Sequence, residues 1–407
     1  MNIAGYISKK GTLMLLGVVS LTLSFFFSPS QALTFLSSSP PPTPRLQVSA
    51  WMPTSWDGES ARASFRRHVR QLTTVSPYWY GVRADGQLSP LTGARDPLLL
   101  AEARAAGARV IPTISNSYNG ARIHTILNDD ALAAAHLQAI IEEVERYGYD
   151  GIDLDYENLY AEDKDRYAAW VKELAAQLHA RNKRLTVTVQ PKTFHADGWD
   201  GPGAHDYRAL ANAADELRVM IYGWCWKTGC VGSAPPGPIA PIHWMQRVID
   251  YAKTQAPADK IVIGLHLYGY DWQIGATSLN ANQAQLQEAC FSPPEPVAFE
   301  DVTGRALVWA EADAILKSNN ATLQWWEEDE QGLVQEPWFS YDNGQHVVAF
   351  ANADSVEARV QLVEQAGLRG VIFWRLGGED PALWDRLPHR SYATYLPTLL
   401  LPAPSQP

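Results

Sequence analysis

The sequence predicts an α/β fold, a (β/α)8 TIM barrel with a small α+β insertion after its seventh strand. Eight short β-rich runs alternate with helical patterns, which implies parallel βαβ units. The chain has 407 residues, which suits a barrel of roughly 250 to 400 residues. One interval, about eighty residues between Trp272 and Ser355, is too long for a single connection, and it falls between the seventh and eighth runs.

The strand candidates are Leu46 to Trp51, Thr74 to Gly81, Arg109 to Ile114, Gly151 to Tyr156, Leu185 to Val189, Leu217 to Tyr222, Ile261 to Leu267 and Gly370 to Trp374. In Asp129 to Tyr147, the residues Leu137, Ile140, Ile141 and Val144 fall at i, i+3, i+4 and i+7, one apolar stripe of a helix. Glu162 to Asn182, Pro241 to Thr254 and Ser355 to Ala366 behave similarly. An open doubly wound sheet is the competing topology, but no Gly-rich phosphate fingerprint follows the first strand. The insertion, about 275–352, holds a helical piece at Glu311 to Lys317. It also holds strand pieces near Thr322 to Trp326, Trp338 to Tyr341 and Val347 to Phe350, with Asn343-Gly344 as a hairpin signal between the last two.

Residues 1–32 read as an export signal. Lys9 and Lys10 precede an apolar run from Leu13 to Phe27, and Ser30-Gln31-Ala32 supplies small residues for cleavage. An uncleaved anchor is the alternative. Residues 33–45 form a Pro/Ser-rich linker, 46–395 the barrel, and 396–407 a Pro-rich tail. The expected location is therefore secreted, periplasmic or cell-envelope.

Lys plus Arg number 33 and Asp plus Glu 44, a net charge of −11. With no long basic run, the chain is a poor nucleic-acid binder, and an anionic polymer or membrane gains little from it. No stable membrane insertion is expected after signal removal. There are 15 tryptophans. Some must be core; others on loops would suit sugar rings, whose flat apolar faces pack on indole. Of Cys225, Cys230 and Cys290, the first two lie close enough in sequence to staple one loop, with free thiols as the alternative. No second Cys or His pair falls at zinc spacing, and no metal or cofactor is expected.

The most informative stretch is Tyr149-Asp150-Gly151-Ile152-Asp153-Leu154-Asp155-Tyr156-Glu157. In a strand, Asp153, Asp155 and Glu157 project to one face and Ile152, Leu154 and Tyr156 to the other. In a barrel the first set points inward and climbs towards the C-terminal rim, where barrel enzymes place catalysis. Burying three carboxylates unpaired is costly. Like charges this close cannot all ionise, so at least one should hold a proton near neutral pH, as general-acid catalysis requires. The competing readings are carboxylates solvated or paired with Lys and Arg, or a site for a hard cation.

Asp150-Gly-x-Asp-x-Asp-x-Glu157 resembles the signature of glycoside hydrolase family 18, the chitinase-like family. Met220-Ile221-Tyr222 ends strand six where the family carries Met-x-Tyr-Asp, and Phe373-Trp374 ends strand eight where it carries the Trp that floors a sugar subsite. Leu267 to Trp272, Trp338 to Tyr341 and Trp374-Arg375-Leu376-Gly377 with Glu379-Asp380 are similar to its spore-germination and cortex-lytic branch. The likeness spans about 46 to 390.

The resemblance implies hydrolysis of β-1,4 bonds beside N-acetylglucosamine, in peptidoglycan, chitin or a glycoprotein core, by a retaining, substrate-assisted mechanism. It assigns Glu157 as the acid and then the base. Asp155 would hold the acetamido N–H, Asp153 would share a proton with Asp155, and Tyr222 would hold the acetamido oxygen. Gly223 stands where the family has Asp; Asp271, Arg375 and Glu379 are the polar groups considered as replacements. Trp51, Tyr78, Trp224 and Trp272 lie at strand ends and are candidates for sugar contact beside Trp374 and Met220, against a core role. Gln190 and Lys192 end strand five and are candidates for the cleft, against rim solvation. His195 and His205 are not expected to be catalytic, and Trp325-Trp326-Glu327-Glu328 is expected to form core within the insertion, with a cleft wall as the alternative. A non-catalytic carbohydrate-binding protein on the same barrel is the alternative function, and a scaffold the third.

Overall fold

The computed structural model describes residues 46–196, 198–274 and 303–387. The export signal, the linker, Cys290 and the Pro-rich tail lie outside the described residues. Eight parallel strands close into a barrel. They are β1 (Gln47–Met52), β2 (Thr74–Val82), β3 (Thr113–Ser115), β4 (Gly151–Asp155), β5 (Arg184–Val189), β6 (Glu216–Met220), β7 (Ile261–His266) and, after the insertion, Gly370–Trp374. Each pairs with its sequence neighbour, and Gly370–Trp374 pairs with both β7 and β1, which closes the ring.

Helices surround the strands: α1 (Gly58–His68), α2 (Pro97–Ala105), α3 (Gly120–Leu127), α4 (Asp130–Tyr147), α5 (Lys164–His179), α6 (Tyr207–Ala213) and α7 (Ile242–Gln255). Asp129 caps α4 by accepting from the Ala131 and Leu132 N–H groups, and Gly148 ends it at φ 64. Ile152, Leu154 and Tyr156 face this helical layer and are buried. Tyr156 meets His136 of α4 through a 2.6 Å hydrogen bond and packs beside Tyr167 and Trp170 of α5.

Every second strand residue enters the barrel. Trp51, Met220, Val262 and Ile372 form one apolar cluster there. Much of the rest of the interior is polar and buried, including Ser76, Thr113, Asp153, Thr186, Thr188 and Arg218.

The insertion begins immediately after β7, at Tyr268 rather than near 275. Its strands β8 (Tyr268–Gln273), β9 (Thr303–Val308), β10 (Gln324–Asp329), β11 (Gly332–Tyr341) and β12 (His346–Phe350) form one antiparallel sheet in the order β9-β8-β12-β11-β10. Helix α8 (Trp309–Ser318) packs on it, and α9 (Ala353–Gln365) leads to the last barrel strand, β13 (Gly370–Trp374). The Asn343-Gly344 turn joins β11 to β12, with φ of 52° and 81° at those residues, where a side chain beyond Cβ is disfavoured for most types.

Most strand bounds differ from the sequence expectation by a residue or so, and three of the differences have a structural reason or consequence. Arg109 to Ile114 divides at Pro112, which has no N–H for the ladder; Arg109–Val110 pairs before it and β3 after it. The fourth strand stops at Asp155 and the sixth at Met220. Beyond Met220, a tight turn lets Tyr222 N–H reach the Met220 carbonyl at 3.0 Å.

Cys225 and Cys230 form a disulfide that joins two two-residue strands. Gly237 packs against it; a Cβ there would lie 2.6 Å from Cys225 Sγ. Among the described residues, no helix is long and apolar enough to cross a membrane.

Candidate active site

A cleft of about 420 Å³ opens at the C-terminal rim of the barrel. Asp155, Glu157, Tyr222, Met220, Trp51, Tyr78 and Trp374 all line it, although they come from five separate stretches of sequence. Asp153 lies one layer deeper.

Asp153 is fully buried and surrounded by donors. Trp51 Nε1 and Thr113 Oγ1 each donate to Oδ2 at 2.9 Å; Thr186 Oγ1 donates to Oδ1 at 2.7 Å and Thr188 Oγ1 at 3.2 Å. Arg218 Nη1 stands 3.3 Å from Oδ1. The register explains this convergence, because Asp153 pairs with Thr113 on one side and Thr186 on the other.

Asp155, one layer higher, accepts a single bond, from Tyr78 O–H at 2.9 Å; its other oxygen, Oδ1, is buried without a partner. The two aspartates do not share a hydrogen bond here, contrary to the expectation of a shared proton: Asp153 is already occupied by the residues around it. Burial, then the Asp153 charge, pushes the Asp155 carboxyl up to about 7, while the Tyr78 hydrogen bond opposes the rise. Native Asp155 therefore keeps a proton that the unfolded chain releases at the ordinary aspartate value. Its contribution to stability falls as pH rises through the window between that value and about 7. Replacing Tyr78 by Phe removes the one hydrogen bond that favours the ionised form. We expect the Asp155 titration to move to higher pH in Tyr78→Phe, read by isotope-edited infrared spectroscopy of the carboxyl band; an unmoved band refutes the assignment.

Glu157 follows the strand end, and its backbone is clamped on both sides. Asn116 accepts from its N–H at 2.9 Å and donates to its carbonyl at 2.7 Å. His205 donates from Nε2 to the Tyr156 carbonyl at 3.1 Å, while its Nδ1 accepts from the Gln190 N–H at 3.2 Å, which fixes the tautomer. Burial holds this imidazole down to about 3, so it stays neutral and structural. The Glu157 carboxyl is pushed well above the usual range, first by burial and then by Asp155, with the Tyr118 hydroxyl pulling the other way. Its place in the cleft therefore favours the protonated form, as a general acid requires.

The aromatic walls also come together. Trp374 packs edge-on against Trp51 at 6.0 Å and Tyr78 at 5.5 Å, and Trp56 stands 5.5 Å from Tyr78. Burial, with Tyr268 and then Asp155 nearby, holds the Tyr222 hydroxyl well above its ordinary value, so it remains a hydrogen-bond donor.

Four candidates do not reach this cleft. Trp272 is fully buried in the insertion sheet, where Nε1 donates to the Trp226 carbonyl at 3.1 Å. Trp224 packs on Trp244 and lines a separate groove of about 1410 Å³ between the disulfide loop, α7 and the β10–β11 hairpin. Gln190 lies beneath the loop at Gly201. Lys192 donates to the Pro202 and His205 carbonyls, inside rather than on the rim. Trp326 stacks on Trp338 at 5.3 Å and lines that same groove.

Position 223 is open: a Cβ on Gly223 would meet nothing within 4 Å. Asp271 is engaged by Tyr341 and His346, and Glu379 by the Gly377 N–H and Trp384. Of the three groups considered, Arg375 lines the cleft.

Sequence reasoning missed Trp56, Tyr118, Tyr268 and Tyr270 on the cleft wall. Period-two alternation from Tyr268 was the available signal for the last two. Trp272 continues that face but is covered by the disulfide loop.

A buried carboxylate ladder under an aromatic cleft on a (β/α)8 barrel defines a glycoside hydrolase, and the comparisons agree. The model of the glycosyl hydrolases family 18 matches residues 66–379, and the chain belongs to that family. It is similar to the cortical fragment-lytic enzyme of Bacillus subtilis, 27% identical over 354 residues, covering 84% of this chain and 74% of that one. Its structure resembles the spore cortex-lytic enzyme SleL of Bacillus cereus at 25% identity and TM-score 0.70, over 85% of this chain and 75% of that chain. A chitinase from Chromobacterium violaceum shares the fold at 23% identity and TM-score 0.68, over 84% of this chain and 97% of that chain.

Proposed function

We propose that the protein is an exported glycosidase that hydrolyses β-1,4 linkages in N-acetylglucosamine-containing glycans, with peptidoglycan favoured over chitin, by substrate-assisted retaining catalysis. The observation that carries this reading is the ladder itself: Glu157, whose surroundings favour its protonated form, and a half-satisfied Asp155 share a cleft with the Tyr222 hydroxyl. The other carboxylates on the cleft wall are engaged. Asp57 pairs with Arg375, and Glu311 accepts from Arg305 and from the Val308 N–H. The family resemblance then assigns the nucleophile's part to the substrate's own acetamido oxygen, and the unpartnered Oδ1 of Asp155 suits the acetamido N–H beside it.

In this reading Glu157 gives its proton to the leaving glycosidic oxygen. The carbonyl oxygen of the N-acetyl group attacks the anomeric carbon, forming a cyclic oxazolinium. The free Oδ1 of Asp155 accepts the acetamido N–H, and Tyr222 orients the acetamido oxygen. Glu157, now a carboxylate, takes a proton from water as that water opens the ring with retention. Trp374 stacks on a sugar face, supported edge-on by the buried Trp51 and by Tyr78. The similarity to cortex-lytic relatives supports peptidoglycan, and the N-terminal apolar run supports export.

Mass spectrometry of fragments released from cell-wall sacculi and from purified chitin tests the substrate, and proton NMR of the first product tests the stereochemistry. We expect fragments from sacculi that end in reducing N-acetylglucosamine, formed first as the β-anomer. Release from chitin alone overturns the substrate, and an initial α-anomer overturns the substrate-assisted mechanism.

A further inference from the structure

We propose that Arg218 is a positioning residue for the reaction: it fixes Asp153 as the anionic anchor of the ladder, so that the mobile protons of the cluster sit on Asp155 and Glu157. This rests on the ladder being the catalytic centre.

Arg218 is fully buried inside the barrel. Its Nη1 donates to Ser76 Oγ at 2.7 Å and stands 3.3 Å from Asp153 Oδ1; its Nη2 lies 3.2 Å from Glu216 Oε2. Glu216 in turn meets Arg184 at 3.5 Å and Arg369 at 3.3 Å. Charge therefore alternates in a chain of contacts: the arginine pair, Glu216, Arg218, Asp153, and then Asp155 one layer above.

A guanidinium is an expensive way to fill a barrel. Well-packed apolar residues of similar volume usually serve stability as well or better. The neighbouring strand does that: Val262, directly opposite Arg218 in register, is apolar and buried. The cation is explained instead by the group it faces. The Arg218 guanidinium offers donors and no acceptor, and with four hydroxyl and indole donors it surrounds the Asp153 carboxylate. A fixed negative charge below Asp155 then favours the protonated form of Asp155, which agrees with the raised Asp155 value.

The surroundings leave Arg218 as the cation in question. Facing the two aspartates are Trp51 from β1, Ser76 and Tyr78 from β2, Thr113 and Ser115 from β3, and Thr186 and Thr188 from β5. Glu157 and Tyr222 lie above and Tyr167 of α5 outside; β7 and β13 present Val262 and Ile372. Among these described groups Arg218 alone is positive.

Removing the cation makes every proton of the cluster harder to lose. In Arg218→Met, both limbs of the pH profile of kcat/KM are expected to move to higher pH, by about one to three units. Arg218→Lys should return them towards the parent. Glu216→Gln removes a negative charge behind Arg218 and should move both limbs to lower pH. A purely structural role would lower the rate without shifting the limbs, and would not give opposite signs. The carboxyl titration is also followed by infrared difference spectroscopy in the full chain without substrate. A shift there with no hydrolysis by the parent protein would refute the glycosidase reading, and with it the role in a reaction, while the hold of Arg218 on the cluster's protons would stand. A folded Arg218→Met with unmoved titration overturns the proposal. If Arg218→Met does not fold, Glu216→Gln decides: a downward shift supports it, and no shift or an upward one overturns it.

Discussion

Glu157→Gln is expected to lower turnover of an N-acetylglucosamine oligomer by ~10²- to 10⁴-fold while leaving its binding nearly unchanged, because a positioned general acid contributes on that order. Gln keeps the shape and can still meet the Tyr118 hydroxyl, but it has no proton to give. The backbone at 157 is held by Asn116, so the variant should not displace the strand end. Burial and the Asp155 charge raise the Glu157 carboxyl well above its ordinary value. Loss of its proton therefore sets the alkaline limb of the parent's profile, and that limb should vanish in the variant's residual rate. Initial rates with a chromogenic oligomer, and calorimetric titration with an unreactive one, check the two halves. Equal turnover by both proteins removes Glu157 from its role. No turnover by either, with binding intact, identifies a carbohydrate-binding protein.

The ladder was legible in the sequence because strand geometry has a period of two, and Asp153, Asp155 and Glu157 keep that period through an otherwise apolar run. Its partners were not. Glu216 and Arg218 keep the same period in Glu216-Leu217-Arg218-Val219-Met220. A charged residue on a strand, however, reads as solvent-facing until the barrel closes and turns that face inward. Tyr118 and Trp56 stand in loops, where no periodicity marks them. Trp272 misled for the opposite reason. It ends a strand-like run, but that run belongs to the insertion, and the disulfide loop folds over it. The insertion's start was misplaced because β7 and β8 are separated by Leu267 alone, so the sequence offers no turn residues at the boundary.

The insertion depends on a second buried charge pair, and breaking it should have the largest effect on stability. Glu336 of β11 and Arg359 of α9 are both buried and paired. His266 at the end of β7 reaches the other Glu336 oxygen at 3.0 Å. Arg359 also donates to the Ala240 carbonyl at 2.7 Å and to the Gln335 carbonyl at 3.0 Å, so one guanidinium joins the insertion, a barrel helix and the loop before α7. Arg359→Met leaves Glu336 buried without its cation, and we expect a loss of about 3–5 kcal/mol. Burial alone would push the Glu336 carboxyl up; the Arg359 charge, helped by His266, overcomes that and holds it below the usual glutamate range. A depressed carboxyl stabilises the fold above its unfolded value, and that contribution is lost as pH falls through the folded value. The gap between parent and Arg359→Met should therefore be full at neutral pH and narrow in acid. Glu336→Leu combined with Arg359→Met should recover much of the loss, since neither charge is then stranded. Urea midpoints at several pH values measure all three proteins. A single variant as stable as the parent, or a gap that widens in acid, would show that this pair does not hold the insertion against the barrel.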